Sequence, residues 1–205
     1  LHKWGYTLAT MNNKITSEAL RSRQYRRAYE DICSSLVYGE SVVKLTGIKD
    51  TGKSVISQLV CRHMEELNHH VIVIDNHPAT PVDLQNEIIQ QLSTNTKGSF
   101  QKVFDYYLQT LAAARHFLLI IVEDAHQLDE QTLASLHTLF EVRNSSEPLI
   151  KIVLVGQPEL NDLLQKPRCK SLTQRVSRSF NLKCMDRAEV REFANNFIRE
   201  RCGAS

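Results

Sequence analysis

"LTGIKDTGKS", residues 45–54, holds two of the chain's seven glycines, followed at once by a lysine and a serine. From Gly47 to Ser54 it fits G-x-x-x-x-G-K-S/T in full, a pattern that carries meaning only between a strand and a helix. Both flanks agree. "SVVKLT" (41–46) is short, apolar and β-branched, and "VISQLVCRHMEEL" (55–67) repeats apolar residues at helical spacing. Backbone amides can surround a phosphate only where no Cβ intrudes, and glycine permits the positive φ angles this needs. A helix opening at Lys53 aims its free N–H groups and positive dipole end at the anion. Gly47, Ile48, Lys49, Asp50, Thr51, Gly52, Lys53, Ser54 and Val55 are therefore the expected nucleotide-binding residues. Lys53, read as a surface cation, should reach the β- and γ-phosphates, and Ser54 should ligate Mg²⁺. The competing reading is an incidental glycine turn.

Further along, strands and helices alternate. "HVIVID" (70–75) reads as a strand, followed by a helix from about Val82 to Leu92 and a polar loop over 93–99. A helix from Phe100 leads to "HFLLIIVED" (116–124), a near-continuous apolar run of the kind found in central strands covered on both faces. A helix over 129–143, a strand over 149–156, a helix after Pro158, another around Leu172–Val176, a strand "FNLKCM" (180–185) and a helix from Asp186 complete the chain. Asp186 with Glu189 suits an N-terminal cap. This order predicts an α/β fold, a five-stranded parallel sheet with helices on both faces. Upstream, residues 17–37 put Tyr25, Ala28, Tyr29, Ile32, Cys33 and Leu36 on one helical face, with Arg21, Arg23, Arg26 and Arg27 on or near the other. That basic face is either solvated or a nucleic-acid contact.

The 205 residues are 42% hydrophobic, enough for one globular domain or one plus a fragment of a second. Lys+Arg 25 against Asp+Glu 23 leaves no global field that demands a nucleic acid or a membrane. Locally, Lys166, Arg168, Lys170, Arg175, Arg178 and Lys183 form an acid-free basic segment. Five cysteines without a paired framework suit a reducing compartment. No apolar run approaches a membrane span and no signal peptide opens the chain, so a cytoplasmic location is expected. A first residue that is Leu rather than Met, and an end at "FIRERCGAS", suggest a piece of something longer.

Hydrolysis needs carboxylates, and "LLIIVEDAHQL" (118–128) offers Glu123 and Asp124 where the buried third strand ends. In parallel sheets ligands bind beyond the carboxyl ends of the strands, so both acids should arrive near the phosphate loop. Glu123 is expected to hold the metal and Asp124 to polarise the attacking water. A solvated turn is the alternative. Gln157, ending the fourth strand in "LVGQPEL", could contact the γ-phosphate or orient the water, or be an ordinary polar strand end. His126 lacks a second ligand at metal spacing and reads as a polar loop residue.

These pieces in this order resemble the AAA+ ATPases. Within them the likeness is to the bacterial family typified by general secretion pathway protein A and the ATPase of mannose-sensitive pilus biogenesis, with a core shared by transposition-regulator ATPases. It runs from about Ser17 to Cys202 and rests on "YGESVVKLTG", "GIKDTGKS", "LLIIVEDAHQLDEQTLASL", "VLVGQPEL" and "LTQRVSRSFNLKCMDRAEVREFANNFIRER". The resemblance implies ATP and Mg²⁺ as cofactors, a homo-oligomeric ring or filament, and an arginine reaching a neighbour's γ-phosphate. Arg175 is the first candidate for that role and Arg178 the second. It also implies an N-terminal extension over 1–16, a nucleotide-binding domain over 17–185, and the first helix of a lid over 186–205. Two departures stand out. The family usually reads Asp then Glu where this chain has Glu123 then Asp124, and the family's further arginine-bearing sensor, beyond the lid's first helix, would fall past Ser205.

Three functions follow. The first is an oligomerising ATPase motor or switch in envelope, secretion or pilus assembly, held at the inner face of the membrane by regions outside this segment. The second is a nucleotide-locked scaffold that hydrolyses negligibly, as the exchanged acids would permit. The third is a DNA-bound regulator of the transposition type. A kinase lid rich in arginines is poorly matched by "QPELNDLLQKPRCKSL", and "EDAH" resembles a helicase signature only in passing.

Overall fold

The computed structural model describes residues 22–92, 98–141 and 148–185, with 187, 189–191 and 195 beyond them. Expectations for residues 1–21, for the Asp186 cap and for most of the lid helix lie outside the described residues.

The first helix, α1 (Arg23–Val37), buries Tyr25, Ala28, Ile32, Cys33 and Leu36 along one stripe and leaves Arg23, Arg26 and Arg27 exposed. The core alternation follows: β1 (Val42–Gly47), α2 (Lys53–Glu66), β2 (His70–Ile74), α3 (Pro81–Leu92), α4 (Phe100–Ala113), β3 (Leu118–Val122), α5 (Glu130–Ser135), β4 (Ile150–Gly156), α6 (Glu159–Gln165), α7 (Lys170–Thr173) and β5 (Val176–Leu182). All five strands are parallel, in the order β2-β3-β4-β1-β5.

The period of two along each strand splits the core into two layers. Leu118, Ile120 and Val122 of β3 face one cluster with Phe104 and Leu108 of α4 and Ile88 of α3. Leu119 and Ile121 face the other with Ile32 and Leu36 of α1 and Ile56, Val60 and Met64 of α2. Every residue of β3 and β4 is buried, which is why β3 reads as an unbroken apolar run and β4 as one broken only by Lys151. The outer strand β2 is closed by a side chain. Gln91 donates to Val73 O at 2.7 Å and accepts from Val73 N–H at 3.2 Å, standing in for a strand partner.

Three elements differ from the sequence expectation. The fifth strand runs from Val176 to Leu182, not over 180–185, and the short helix before it ends at Thr173. As an edge strand, β5 exposes Ser177, Arg178 and Ser179, so it carries no apolar run to announce its start. Leu182 is its last paired residue because its partner is Gly47, after which β1 gives way to the loop. The helix expected over 129–143 is α-helical only to Ser135 and then tightens to a 3₁₀ turn over Leu136–Glu141. Buried Leu133, Leu136 and Leu139 recur every third residue, which suits that tighter winding.

Asp129 caps α5, accepting from Thr132 N–H at 2.8 Å and from the Thr132 hydroxyl at 2.7 Å. Partial burial pushes its carboxyl up, but the hydrogen bonds from Thr132 and Gln131 outweigh this and hold it below its ordinary value. Asp129→Ala should cost about 1 kcal/mol at neutral pH. The contribution is whole above the unfolded carboxylate value and fades as pH falls through the lower folded value. Denaturant unfolding of both proteins at pH 7 and pH 3 should show the gap shrinking, and a constant gap would contradict this role for the cap.

Candidate functional site

Because the strands are parallel, β1, β3 and β4 all discharge at one edge of the sheet. Thr46 lies opposite Gly156, and Val122 opposite Leu154. Gly47, Gln157 and the two acids thus leave neighbouring strands together.

The loop 47–52 is shaped by its glycines. Gly52 sits in the left-handed region at φ +78°, and Asp50 is also left-handed at φ +63°. A Cβ on Gly47 would come within 2.6 Å of Thr51 Oγ1 and 2.7 Å of Leu182 O. A Cβ on Gly52 would come within 2.5 Å of the Tyr25 ring. That ring is a floor the sequence reading did not assign. Tyr25 is buried and its hydroxyl donates to Thr51 O at 2.5 Å, so α1 grips the loop from beneath. Gly52→Ala combines the left-handed penalty with this clash, and should destabilise the protein by about 1–2 kcal/mol or more. A thermal melt checks it, and an unchanged midpoint would mean the loop is looser than its geometry.

Lys53 opens α2 and is buried, not the surface cation expected. Its ammonium donates to Gly47 O at 2.9 Å and Ile48 O at 2.8 Å, curled over its own loop. Ser54 beside it is exposed.

Glu123 and Asp124 fall just past β3. Glu123 is held by its N–H, which donates to Ile74 O at 2.9 Å, and by a hydrogen bond from the Ser57 hydroxyl to its carboxylate. Ser57 is one turn beyond Ser54 on α2 and meets an acid 66 residues away, a contact no local spacing encodes. Burial pushes the Glu123 carboxyl up, Ser57 and Lys53 draw it down, and Asp124 and Asp75 add like charge. Asp124 is left-handed at φ +45° and half-exposed. Two imidazoles flank it. His77 Nε2 lies 4.0 Å from Asp124 Oδ2, and His126 Nδ1 lies 3.9 Å from Asp124 Oδ1. His126 also meets Gln157 twice, through the Gln157 N–H at 3.3 Å and its side-chain amide at 2.9 Å. His126 is therefore part of the cluster rather than a bystander of the loop. His77 gave no signal in the sequence. It enters because β2 lies beside β3.

Arg175 and Arg178 are elsewhere. Val176 pairs with Val42, at the opposite end of β1 from the loop. The Arg175 guanidinium lies over the Phe140 ring at 4.7 Å, and Arg178 lies 3.6 Å from Glu40.

The site can take a polyphosphate and a hard cation. The glycine cradle has no room for a Cβ, and the donors at hand (Ser54, Ser57, Glu123) are all oxygens. A carboxylate whose burial opposes its charge is one that a divalent cation would relieve.

A phosphate loop after a central strand, acids after its second neighbour and a polar strand end between them, in the order β2-β3-β4-β1-β5, define a P-loop NTPase of the AAA+ type. The chain belongs to the AAA domain family, whose model matches residues 36–164. General secretion pathway protein A of Aeromonas hydrophila is 26% identical over 175 residues, which cover 82% of this chain and 32% of that protein. The chain thus spans about a third of that relative's length. Among solved structures, the Aeropyrum pernix ORC2 protein in its ADPNP–ADP complexes matches with a TM-score of 0.67 at 12% identity, over 92% of this chain and 56% of that one. Cdc6p from Pyrobaculum aerophilum matches at 0.66 and 13%, over 90% and 52%. Drosophila ORC bound to GC-rich DNA and Cdc6 matches at 0.61 and 14%, over 89% and 33%. At these identities the structures speak for the fold.

Proposed function

We propose that this chain is the ATP-binding and ATP-hydrolysing module of an oligomerising motor or switch, serving envelope, secretion or pilus assembly in bacteria. The observation that carries it is the loop. Its left-handed Gly52, its ammonium at Lys53 and the half-buried Glu123 converge at one sheet edge. Gly47–Val55 would hold the phosphates, and Ser54 with Glu123 would hold Mg²⁺, which when bound neutralises charge on the phosphate oxygens. Asp124, half-exposed, accepts a proton from the attacking water, and Gln157 presents a polar side chain beside it. The secretion assignment is supported by the 26% identity to general secretion pathway protein A. The domain runs over 17–185, with 186–205 opening a lid. It works at the cytoplasmic side, as a homo-oligomer whose partner belongs to an envelope-assembly complex. No helix among the described residues is long and apolar enough to cross a membrane.

The test is ATP turnover with and without Mg²⁺. Asp124→Asn should lower kcat on the order of 100-fold or more with ATP affinity kept, as loss of a general base does. Glu123→Gln should instead weaken Mg²⁺-dependent binding. If Glu123→Gln traps ATP and Asp124→Asn is silent, the two roles are exchanged.

A second reading, the nucleotide-locked scaffold, is favoured by the short Asp124 carboxylate, since a misplacement of about 1 Å can cost on the order of 100-fold in rate. Tight ATP binding with no phosphate release would select it. The Drosophila relative was solved on DNA, and α1 exposes Arg23, Arg26 and Arg27. Binding to a DNA duplex that falls steeply with salt would select a DNA-bound regulator.

A further inference from the structure

His126 makes two contacts that together fix something neither fixes alone. Its Nδ1 accepts the Gln157 backbone N–H at 3.3 Å. A neutral imidazole that accepts at Nδ1 carries its proton on Nε2. Nε2 then stands, as a donor, 2.9 Å from the amide nitrogen of Gln157, also a donor. Two donors facing each other would repel, so the contact is a hydrogen bond only with the amide oxygen turned to the ring. The O and N of an amide are assigned by their hydrogen-bond network, and the backbone N–H of Gln157, which cannot turn, argues for exchanging them here. The NH₂ of Gln157 then points away from the imidazole.

We propose that His126 is a positioning residue: by carrying its proton on Nε2 it clamps the Gln157 amide oxygen and so presents the Gln157 NH₂ to the site as a hydrogen-bond donor. This deepens the ATPase reading and rests on it. An unclamped Gln157 could turn its carbonyl oxygen toward a phosphate, where it would repel rather than bind.

The surroundings keep the ring in that state. His126 is nearly buried, and Asp124 Oδ1, 3.9 Å from Nδ1, is beyond hydrogen-bonding distance, so the Gln157 N–H holds Nδ1 as an acceptor. The turn that carries the ring, Ala125–Gln127, is closed by Gln127 N–H donating to Asp124 O at 2.8 Å. A Cβ on Gly156 would come within 3.4 Å of His126 N and 3.1 Å of Leu160 Cδ2, so the strand end at Gly156 lets the turn sit close to Gln157.

The two nitrogens can be replaced one at a time. In His126→Gln the side-chain NH₂ reaches about as far as Nε2–H and can still donate to Gln157. In His126→Asn the side-chain oxygen stands near Nδ1 and keeps only the backbone contact. Measured by steady-state ATP turnover, His126→Ala should lower kcat roughly 10–100-fold, with KM for ATP within about threefold, the pattern of an interaction made in the transition state. His126→Gln should recover most of the rate and His126→Asn should not. Because both residues act through one amide, adding His126→Ala to Gln157→Ala should change the rate by less than about twofold. Thermal melts of each variant identify any that fail to fold, and His126→Gln, which keeps the donor, is then the deciding comparison. A full rate in folded His126→Ala, equal rescue by Asn and Gln, or multiplying effects in the double variant would overturn the proposal. A second readout needs no turnover. ¹⁵N shifts of the His126 ring in the nucleotide-free protein should report the Nε2–H tautomer, and they should change in Gln157→Ala. An Nδ1–H ring, or shifts indifferent to Gln157, would overturn the clamp. If the wild-type protein hydrolyses no ATP, the ATPase reading falls alone and the ring shifts still decide the clamp.

Discussion

Lys53→Ala protein should bind ATP about 100-fold more weakly than wild type or worse, since a charge-assisted hydrogen bond is worth roughly 1.5–3 kcal/mol and the ammonium can make more than one to a polyphosphate. The fold bears on how this is read. Lys53 is buried, and its Nζ donates to the carbonyls of Gly47 and Ile48. Alanine leaves both carbonyls without that donor and removes a buried stem, so the variant should also melt lower than wild type. Lys53→Met separates the two effects. It keeps an unbranched apolar stem, and loses only the ammonium. Titration with a fluorescent ATP analogue should find both variants impaired, with Met nearer wild type in melting temperature and no nearer in affinity. A folded Lys53→Met protein that binds ATP as wild type does would remove the basis of the nucleotide reading.

What was legible in the sequence, and what was not, follows from burial. The first, third and fourth strands could be read because β3 and β4 are covered on both faces and β1 nearly so. The phosphate loop could be read because its glycines answer a steric demand visible in spacing alone. β5 reads four residues late because an edge strand with Ser177, Arg178 and Ser179 exposed has no apolar period to mark its start. Lys53 looked exposed because a sequence shows its charge, but not the loop carbonyls that charge would fold onto. His126 has no metal-ligand partner in the sequence, yet it has a partner in space, the amide of Gln157 just past β4. His77 and Tyr25 belong to the same class. Both reach the site through neighbours 47 and 26 residues away, Asp124 and Thr51, and no local pattern encodes such contacts.

Position along the sheet makes the final prediction the most demanding. Arg175 precedes β5, whose first residue pairs with Val42, while the phosphate loop begins at the other end of β1. Five strand steps of about 3.3 Å put roughly 16 Å between these levels, too far for an arginine to reach its own nucleotide. Its guanidinium is exposed and rests on the Phe140 face, an arrangement that holds the group at the surface in a restricted orientation. We propose that such an arginine serves a neighbour's nucleotide. Charge developing on a γ-phosphate is best met by a planar group that is always protonated, and a finger of this kind is worth on the order of 10³–10⁵ in rate. Turnover per subunit should therefore rise with protein concentration, and Arg175→Ala should abolish the rise while leaving ATP affinity within a few-fold. Mixing gives the sharper result. An Arg175→Ala subunit keeps its phosphate loop and a Lys53→Ala subunit keeps its arginine, so two preparations inactive alone should regain activity together. No recovery at any ratio, in mixtures shown to co-assemble, would turn attention to Arg178, which lies within β5 beside Glu40 and would have to leave that carboxylate to act. Turnover independent of concentration in a protein that stays monomeric would exclude both arginines from a role across subunits.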